Sequence, residues 1–245
     1  MILAAGRGER MRPFTDTCPK PLLKVQGRPL IEWQLAALAR GGFRRIVVNT
    51  AWLGTQIEHR IGLKPRMGAD TALSISYSSE GRDFGGALET AGGIVRALPL
   101  LGEVFWVAAA DVFAPAFEFT REAFDRFAAS GRFAHLWLVP NPPHNARGDF
   151  GLAPDGLAQS RPSRGEAGYT FSTIALYRRA LFEPPYCDIA AGNPLGIKAP
   201  LAPLLRAAMD NGQVSAELYR GAWTDVGTPE RLAQLNAHGN AQDSS

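Results

Sequence analysis

The sequence predicts an α/β protein with a parallel sheet, and three observations carry that expectation. Short apolar runs alternate with segments of helical spacing through the first half of the chain. Glycine closes the clearest helical segments. The most apolar run is followed at once by a carboxylate, the position where a parallel strand delivers a functional group to its ligand-binding edge. In chain order, Ile2 to Ala5 opens as a strand. Pro29 to Arg40 carries Leu30, Trp33, Leu35 and Leu38 at three- and four-residue spacing and stops at Gly41-Gly42, the pattern of a helix. Ile46 to Asn49 reads as a buried strand, Trp52 to Ile61 as a short helix, Leu73 to Tyr77 as an alternating strand and Ala87 to Leu98 as a helix. Val104 to Ala110 is a strand apolar throughout, and strand–helix–strand order implies right-handed crossovers. The second half is less regular: a helix at Phe117 to Ser130, a strand at His135 to Pro140, loops and hairpins from Pro140 to Gly168, a strand at Phe171 to Tyr177, a helix at Ala199 to Asn211 before Gly212, a short strand at Trp223 and a closing helix from Pro229.

With 245 residues, 46% hydrophobic and 20% charged, the chain is an ordinary globular protein, long enough to bury a core without disulfides. It is read as one domain over 1–235 with a polar tail at 236–245. Lys and Arg number 26 against 23 Asp and Glu, and this +3 excess is scattered, so no nucleic-acid partner is expected. Cys18 and Cys187 lack zinc-ligand spacing and read as plain thiols. Arg7, Glu9, Arg10 and Arg12 follow the first apolar residues too soon for a signal-peptide core. No stretch approaches the roughly 18 apolar residues of a membrane span. A cytoplasmic protein with no membrane partner is the expectation.

Gly6 to Arg12 follows the first strand, and a turn poor in side chains lets backbone N–H groups face an anion. Met11 stands where a dinucleotide fingerprint needs glycine, and no Gly-Lys-Ser/Thr of a P-loop is present. The loop is distinguished instead by cations: Arg7, Arg10, Arg12 and then Lys20, which Pro19 and Pro21 hold from both sides. Composition alone allows these to be solvated surface charges. Asp111 follows the apolar Val104 to Ala110 run, and Asp225 sits between an aromatic strand residue and Gly227. Singly, each has an ordinary reading as a cap or turn former. Converging beside a phosphate loop, the two could hold Mg²⁺, which takes one or two carboxylates plus phosphate oxygens. The four histidines are isolated, and neither a Ser-His-Asp order nor a GxSxG elbow supports hydrolase chemistry.

Leu3-Ala4-Ala5-Gly6-Arg7-Gly8-Glu9-Arg10-Met11-Arg12-Pro13, followed by Pro19-Lys20-Pro21-Leu22, closely resembles the signature of the sugar-1-phosphate nucleotidylyltransferases. Asn49 to Gly54, Leu88 to Gly93, Arg147 to Phe150, Phe171-Ser172 and Trp223 to Thr228 resemble the branch of that family acting on N-acetylmuramate α-1-phosphate in peptidoglycan recycling. The likeness spans nearly the whole chain. It implies a Rossmann-like mixed, mainly parallel sheet with helices on both faces, the nucleotide-diphospho-sugar transferase type. It further implies an enzyme that joins UTP to a sugar 1-phosphate with release of pyrophosphate, using Mg²⁺, as a monomer or dimer.

Carried over by motif, Leu3, Ala4, Ala5, Gly6, Arg7, Gly8, Asn49, Glu89, Thr90 and Gly92 would bind the nucleotide. Arg12 would grip the departing pyrophosphate and Lys20 would meet the α-phosphate. Gly148, Asp149, Glu166, Ser172 and Thr173 would line the sugar side, and Asp111 and Asp225 would bind Mg²⁺. Three departures stand out: Ala110 precedes Asp111 where the family usually has glycine, Thr173 replaces a glycine usual in the N-acetylmuramate branch, and Arg82 to Gly86 looks like a small insertion. Other members, such as mannose-1-phosphate guanylyltransferases and glucose-1-phosphate thymidylyl- or uridylyltransferases, stay open, as does a non-catalytic nucleotide-sugar-binding domain. A nucleotide-dependent oxidoreductase is disfavoured by Met11.

Overall fold

Parallel strands joined by helical crossovers form the first of two units in the computed structural model, which describes residues 1–67, 71–162 and 167–242. This unit comprises Ile2–Ala87, Ala109–Phe119 and the chain from Ala222 onward. Strand Arg45–Thr50 pairs in parallel with Ile2–Ala4 on one side (Leu3 opposite Asn49) and with Ser74–Ser79 on the other (Thr50 opposite Ser79). Helices Leu30–Arg40 and Gly54–Ile61 supply the two crossovers, each within two residues of the span read from periodicity. Ile46 to Thr50 are buried in succession, as in a strand covered on both faces. A two-stranded antiparallel ribbon, Val112–Phe113 with Thr224–Asp225, follows, and helix Pro229–Gln242 runs on into the segment read as a polar tail.

Beneath this ribbon lies a cluster of Met11, Leu23, Val25, Leu30, Phe113 and Val226, against which Trp33 and Leu232 pack. Met11 is fully buried, and the Trp33 and Phe113 rings meet edge to face at 5.0 Å. Burying one such side chain contributes about 1.5–3 kcal/mol. Met11 thus fills a hydrophobic socket at the position where a dinucleotide loop would have glycine.

The second unit comprises Met1, Leu88–Ala108 and Thr120–Gly221. Strand Thr170–Arg178 lies antiparallel to both Val104–Ala109 (Ile174 opposite Ala108) and Ala134–Val139 (Ala175 opposite Leu136). Ala134–Val139 then pairs in parallel with Val214–Leu218, a strand the sequence reading does not contain. Three of these five long ladders are parallel, so the strand pairing is mixed and mainly parallel. Helix Arg121–Ala129 starts later than its apolar pattern suggests because the Thr120 hydroxyl accepts the Ala123 N–H at 3.1 Å and caps it there. The other helices are Glu89–Ala97 and Leu201–Asp210. Among the described residues no helix is long and apolar enough to cross a membrane, both cysteines are free, and no three metal-ligating side chains gather.

Candidate active site

The first unit brings together Leu3, Ala4, Ala5, Gly6, Arg7, Gly8, Arg12, Lys20, Asn49, Asp111 and Asp225. The chain leaves strand Ile2–Ala4 and turns at Gly8, whose φ of 69° is left-handed. The Gly8 carbonyl accepts the Met11 N–H and the Thr15 hydroxyl, both at 2.9 Å, and a Cβ at Gly8 would lie 3.3 Å from that of Lys20. Gly6 is different. Its φ is not positive, and a Cβ there would meet nothing within 4 Å, so neither backbone conformation nor packing requires glycine at that point. What glycine leaves at position 6 is bare backbone facing outward.

Lys20 is 9% exposed, and its Nζ donates to Asp111 Oδ2 at 2.5 Å. The Ala110 N–H donates to the Leu3 carbonyl at 2.9 Å, which sets Asp111 beside the start of the loop. Ala110 itself is buried, so its methyl occupies core rather than site. Asp225 lies opposite Val112 in the ribbon, and the Val226 N–H donates to the Asp111 carbonyl at 2.8 Å. The two acidic residues are therefore neighbours through the backbone, anchored by Phe113 and Val226 in the same cluster that holds Met11.

The guanidinium groups divide into two kinds. Arg7 stacks 3.6 Å from the centre of the Trp52 ring and donates to the Thr15 carbonyl at 2.8 Å; Trp52 Nε1 donates to that same carbonyl. Its charge binds the loop to the Trp52 segment. Arg12 is half-exposed and donates through Nε to Asp16 at 2.7 Å. This bond, supported by Arg7, holds the Asp16 carboxyl below its ordinary range.

Asn49 is buried in mid-strand and braces the loop: its Oδ1 accepts the Ala4 N–H at 2.8 Å, while its Nδ2 donates to Glu80 Oε1 at 2.7 Å. Glu80 is fully buried at the end of strand Ser74–Ser79 and was missed in the sequence. The available signal was the one that marks Asp111, an acid just past the carboxyl end of a parallel strand.

The remaining candidates lie in the second unit. Glu89 (φ 58°) and Thr173 (φ 62°) both hold left-handed backbone, unusual for residues with a Cβ. Thr90 follows Glu89 in the first turn of its helix. Gly92 is glycine because a Cβ would come within 2.5 Å of the Ile197 carbonyl oxygen. Gly148 has φ 68°, and a Cβ there would lie 2.6 Å from the Gly168 carbonyl carbon. Asp149 accepts the Phe171 N–H at 2.8 Å and the Asn145 amide at 3.2 Å; Thr170 bonds Asn141 at 2.9 Å. Asn141 and Asn145, read only as loop in the sequence, are thus the braces of this segment. Ser172 is fully buried and accepts the Ile174 N–H at 3.1 Å. Glu166 lies outside the described residues.

A family model described as nucleotidyl transferase matches residues 1–242. The chain belongs to the nucleotidyl transferase family. It is 46% identical to N-acetylmuramate α-1-phosphate uridylyltransferase of Neisseria meningitidis, covering 97% of this chain and 96% of that one. It is 31% identical to the enzyme of that name from Caulobacter vibrioides, over 94% and 92% of the two chains. A crystal structure described as a glucose-1-phosphate thymidylyltransferase of Bacillus anthracis in complex with sucrose matches with a TM-score of 0.77 at 20% identity, covering 97% and 93%. The family and fold read from the Leu3 to Pro13 and Pro19 to Leu22 segments are borne out, and this nucleotidyltransferase is a sugar-1-phosphate-type enzyme.

Proposed function

We propose that this nucleotidyltransferase transfers the uridylyl group of UTP to N-acetylmuramate α-1-phosphate, giving UDP-N-acetylmuramate and pyrophosphate in the cytoplasm as a step of peptidoglycan recycling. The 46% identity to the Neisseria relative over nearly both full chains supports the substrates. The observation that carries the chemistry is the pair of a near-buried Lys20 with a part-exposed Asp111 at 2.5 Å, beside a loop whose Gly6 is left bare.

The sugar phosphate oxygen is already an anion and attacks the α-phosphorus in line, so no side-chain nucleophile is needed. The protein has to overcome repulsion between two anions and stabilise charge moving onto the leaving pyrophosphate. The Gly6 to Gly8 backbone receives the phosphates, Lys20 neutralises the α-phosphoryl oxygens, and Arg12 turns from Asp16 toward the pyrophosphate. Asp111 and Asp225 fit a magnesium ion by their chemistry: two carboxylates on residues joined through the backbone of the ribbon, with no third metal-ligating side chain gathered among the described residues, the short protein ligand set that Mg²⁺ completes with phosphate oxygens. Bound there, Mg²⁺ would supply positive charge to the phosphoryl oxygens. Glu80, through Asn49, fixes the strand from which the loop departs.

The test measures pyrophosphate release from UTP, dTTP, GTP and CTP with N-acetylmuramate, N-acetylglucosamine, glucose and mannose 1-phosphates. The highest kcat/KM is expected for UTP with N-acetylmuramate α-1-phosphate. If glucose or mannose 1-phosphate wins, the substrate assignment fails and the nucleotidyltransferase class stands.

A further inference from the structure

Arg231 belongs to none of the motifs above. It lies in the first turn of helix Pro229–Gln242, and its Nη1 donates to both the carboxylate Oδ2 and the backbone carbonyl of Asp225, the latter at 3.0 Å. Its side chain is 16% exposed and that of Asp225 23%. A Cβ at Gly227 would lie 2.9 Å from Asp225 Oδ2, 3.1 Å from Arg231 Nη1 and 3.3 Å from Arg10 Nη2, so glycine leaves the space these three charged groups use. With Lys20 on Asp111, each of the two neighbouring carboxylates is held by a basic side chain of the chain itself.

A carboxylate taken largely out of water is costly unless a counter-charge faces it, and a guanidinium holding two oxygens of one residue also fixes its direction. A divalent cation needs the same Asp225 oxygens. We infer that Arg231 is the resident counter-cation of Asp225: it positions the carboxylate while the metal is absent and competes with the metal for it. This rests on the reading of Asp225 as a metal ligand. Its consequence is that the free enzyme binds the ion weakly, and the ion is retained when the phosphates of UTP supply further oxygens.

The test titrates Mn²⁺ into the full-length protein with and without UTP, following the free ion by electron paramagnetic resonance, for the wild type, Arg231→Gln, Arg231→Lys and Asp225→Asn. Arg231→Gln should bind Mn²⁺ alone at least about fivefold tighter, because a charge-assisted hydrogen bond no longer competes. Arg231→Lys should stay within about twofold of the wild type, and Asp225→Asn should bind more weakly. A merely structural role for Arg231 would shift Mn²⁺ affinity the opposite way, through a misplaced carboxylate. If Asp225→Asn weakens binding while Arg231→Gln leaves it unchanged or weakens it, the role of Arg231 is refuted and the metal assignment stands. Wild-type Mn²⁺ binding in Asp225→Asn would instead remove the metal assignment. Should Arg231→Gln fail to fold by circular dichroism, Arg231→Met, which keeps the apolar stem, carries the same comparison.

Discussion

Replacing Thr173 by glycine and by alanine tests whether the left-handed backbone in strand Thr170–Arg178 is strained. Thr173 has φ 62° where the ladder to Ala134–Val139 shifts register between Leu136 and Leu138, and its hydroxyl donates to the Ser172 carbonyl at 2.6 Å. Both variants lose the methyl and that hydroxyl bond, so their difference isolates the Cβ. At an ordinary strand position alanine exceeds glycine in stability by about 0.5–1 kcal/mol, through the greater freedom of glycine in the unfolded chain. A Cβ in left-handed backbone costs about 1–2 kcal/mol. The second effect exceeds the first, so Thr173→Gly should be more stable than Thr173→Ala by about 0.5–1 kcal/mol, an inversion of the usual order. For a chain of this size that is about 2 °C in Tm, measured with urea midpoints by far-ultraviolet circular dichroism as a second readout. Alanine equal to or above glycine would refute the strain argument.

Lys20→Met should lower kcat by about 10²-fold or more while changing the KM for UTP far less, because charge at the phosphoryl group grows toward the transition state; a rise in KM alone would make Lys20 a ground-state binding group. Glu217 accepts the Trp137 Nε1 hydrogen bond at 2.6 Å, and His135 first, then Trp137 and Arg126, hold its carboxyl below the ordinary 4.5. A depressed carboxyl contributes stability above its unfolded pKa and loses it as pH falls through the folded one, so Glu217→Gln should be destabilised at pH 7 by less than about 1 kcal/mol, given its half-exposed side chain, with the gap in urea midpoints closing below about pH 4.

What the sequence displays about this site is the part encoded locally. Asp111 could be placed because seven apolar residues in a row leave a strand no freedom about where its end lies, and Lys20 because two prolines hold its backbone. Pairings across long stretches of chain have no local signature: Glu80 meets Asn49 across 31 positions, and Trp52 meets Thr15 across 37. Val214–Leu218 is a short strand placed by its parallel partner Ala134–Val139 and by a bridge from Leu157 to Ser215, both distant in sequence, and Thr170–Arg178 is antiparallel although nothing in its own pattern separates it from a parallel strand.

The charges of the loop show the same division. In the sequence Arg7, Arg10, Arg12 and Lys20 are one cationic group; in the fold Lys20 has an anchor of its own, while Arg7 and Arg12 share Asp16 and differ in what else holds them. Arg7 is spent on Trp52 and Thr15, Lys20 on Asp111, and Arg12 on the exposed Asp16, with Arg10 beside Gly227. The Arg12–Asp16 pair is open to solvent, with side chains 56% and 39% exposed, and exposed pairs contribute little. On the proposed reading, an arriving phosphate draws Arg12 away at small cost, whereas Arg7, stacked on Trp52, keeps the loop in shape. Met11 makes this possible: by filling the socket with Phe113 and Val226 it fixes the loop against the ribbon that carries Asp111 and Asp225, so apolar burial sets where the charges stand and only the exposed ones need move.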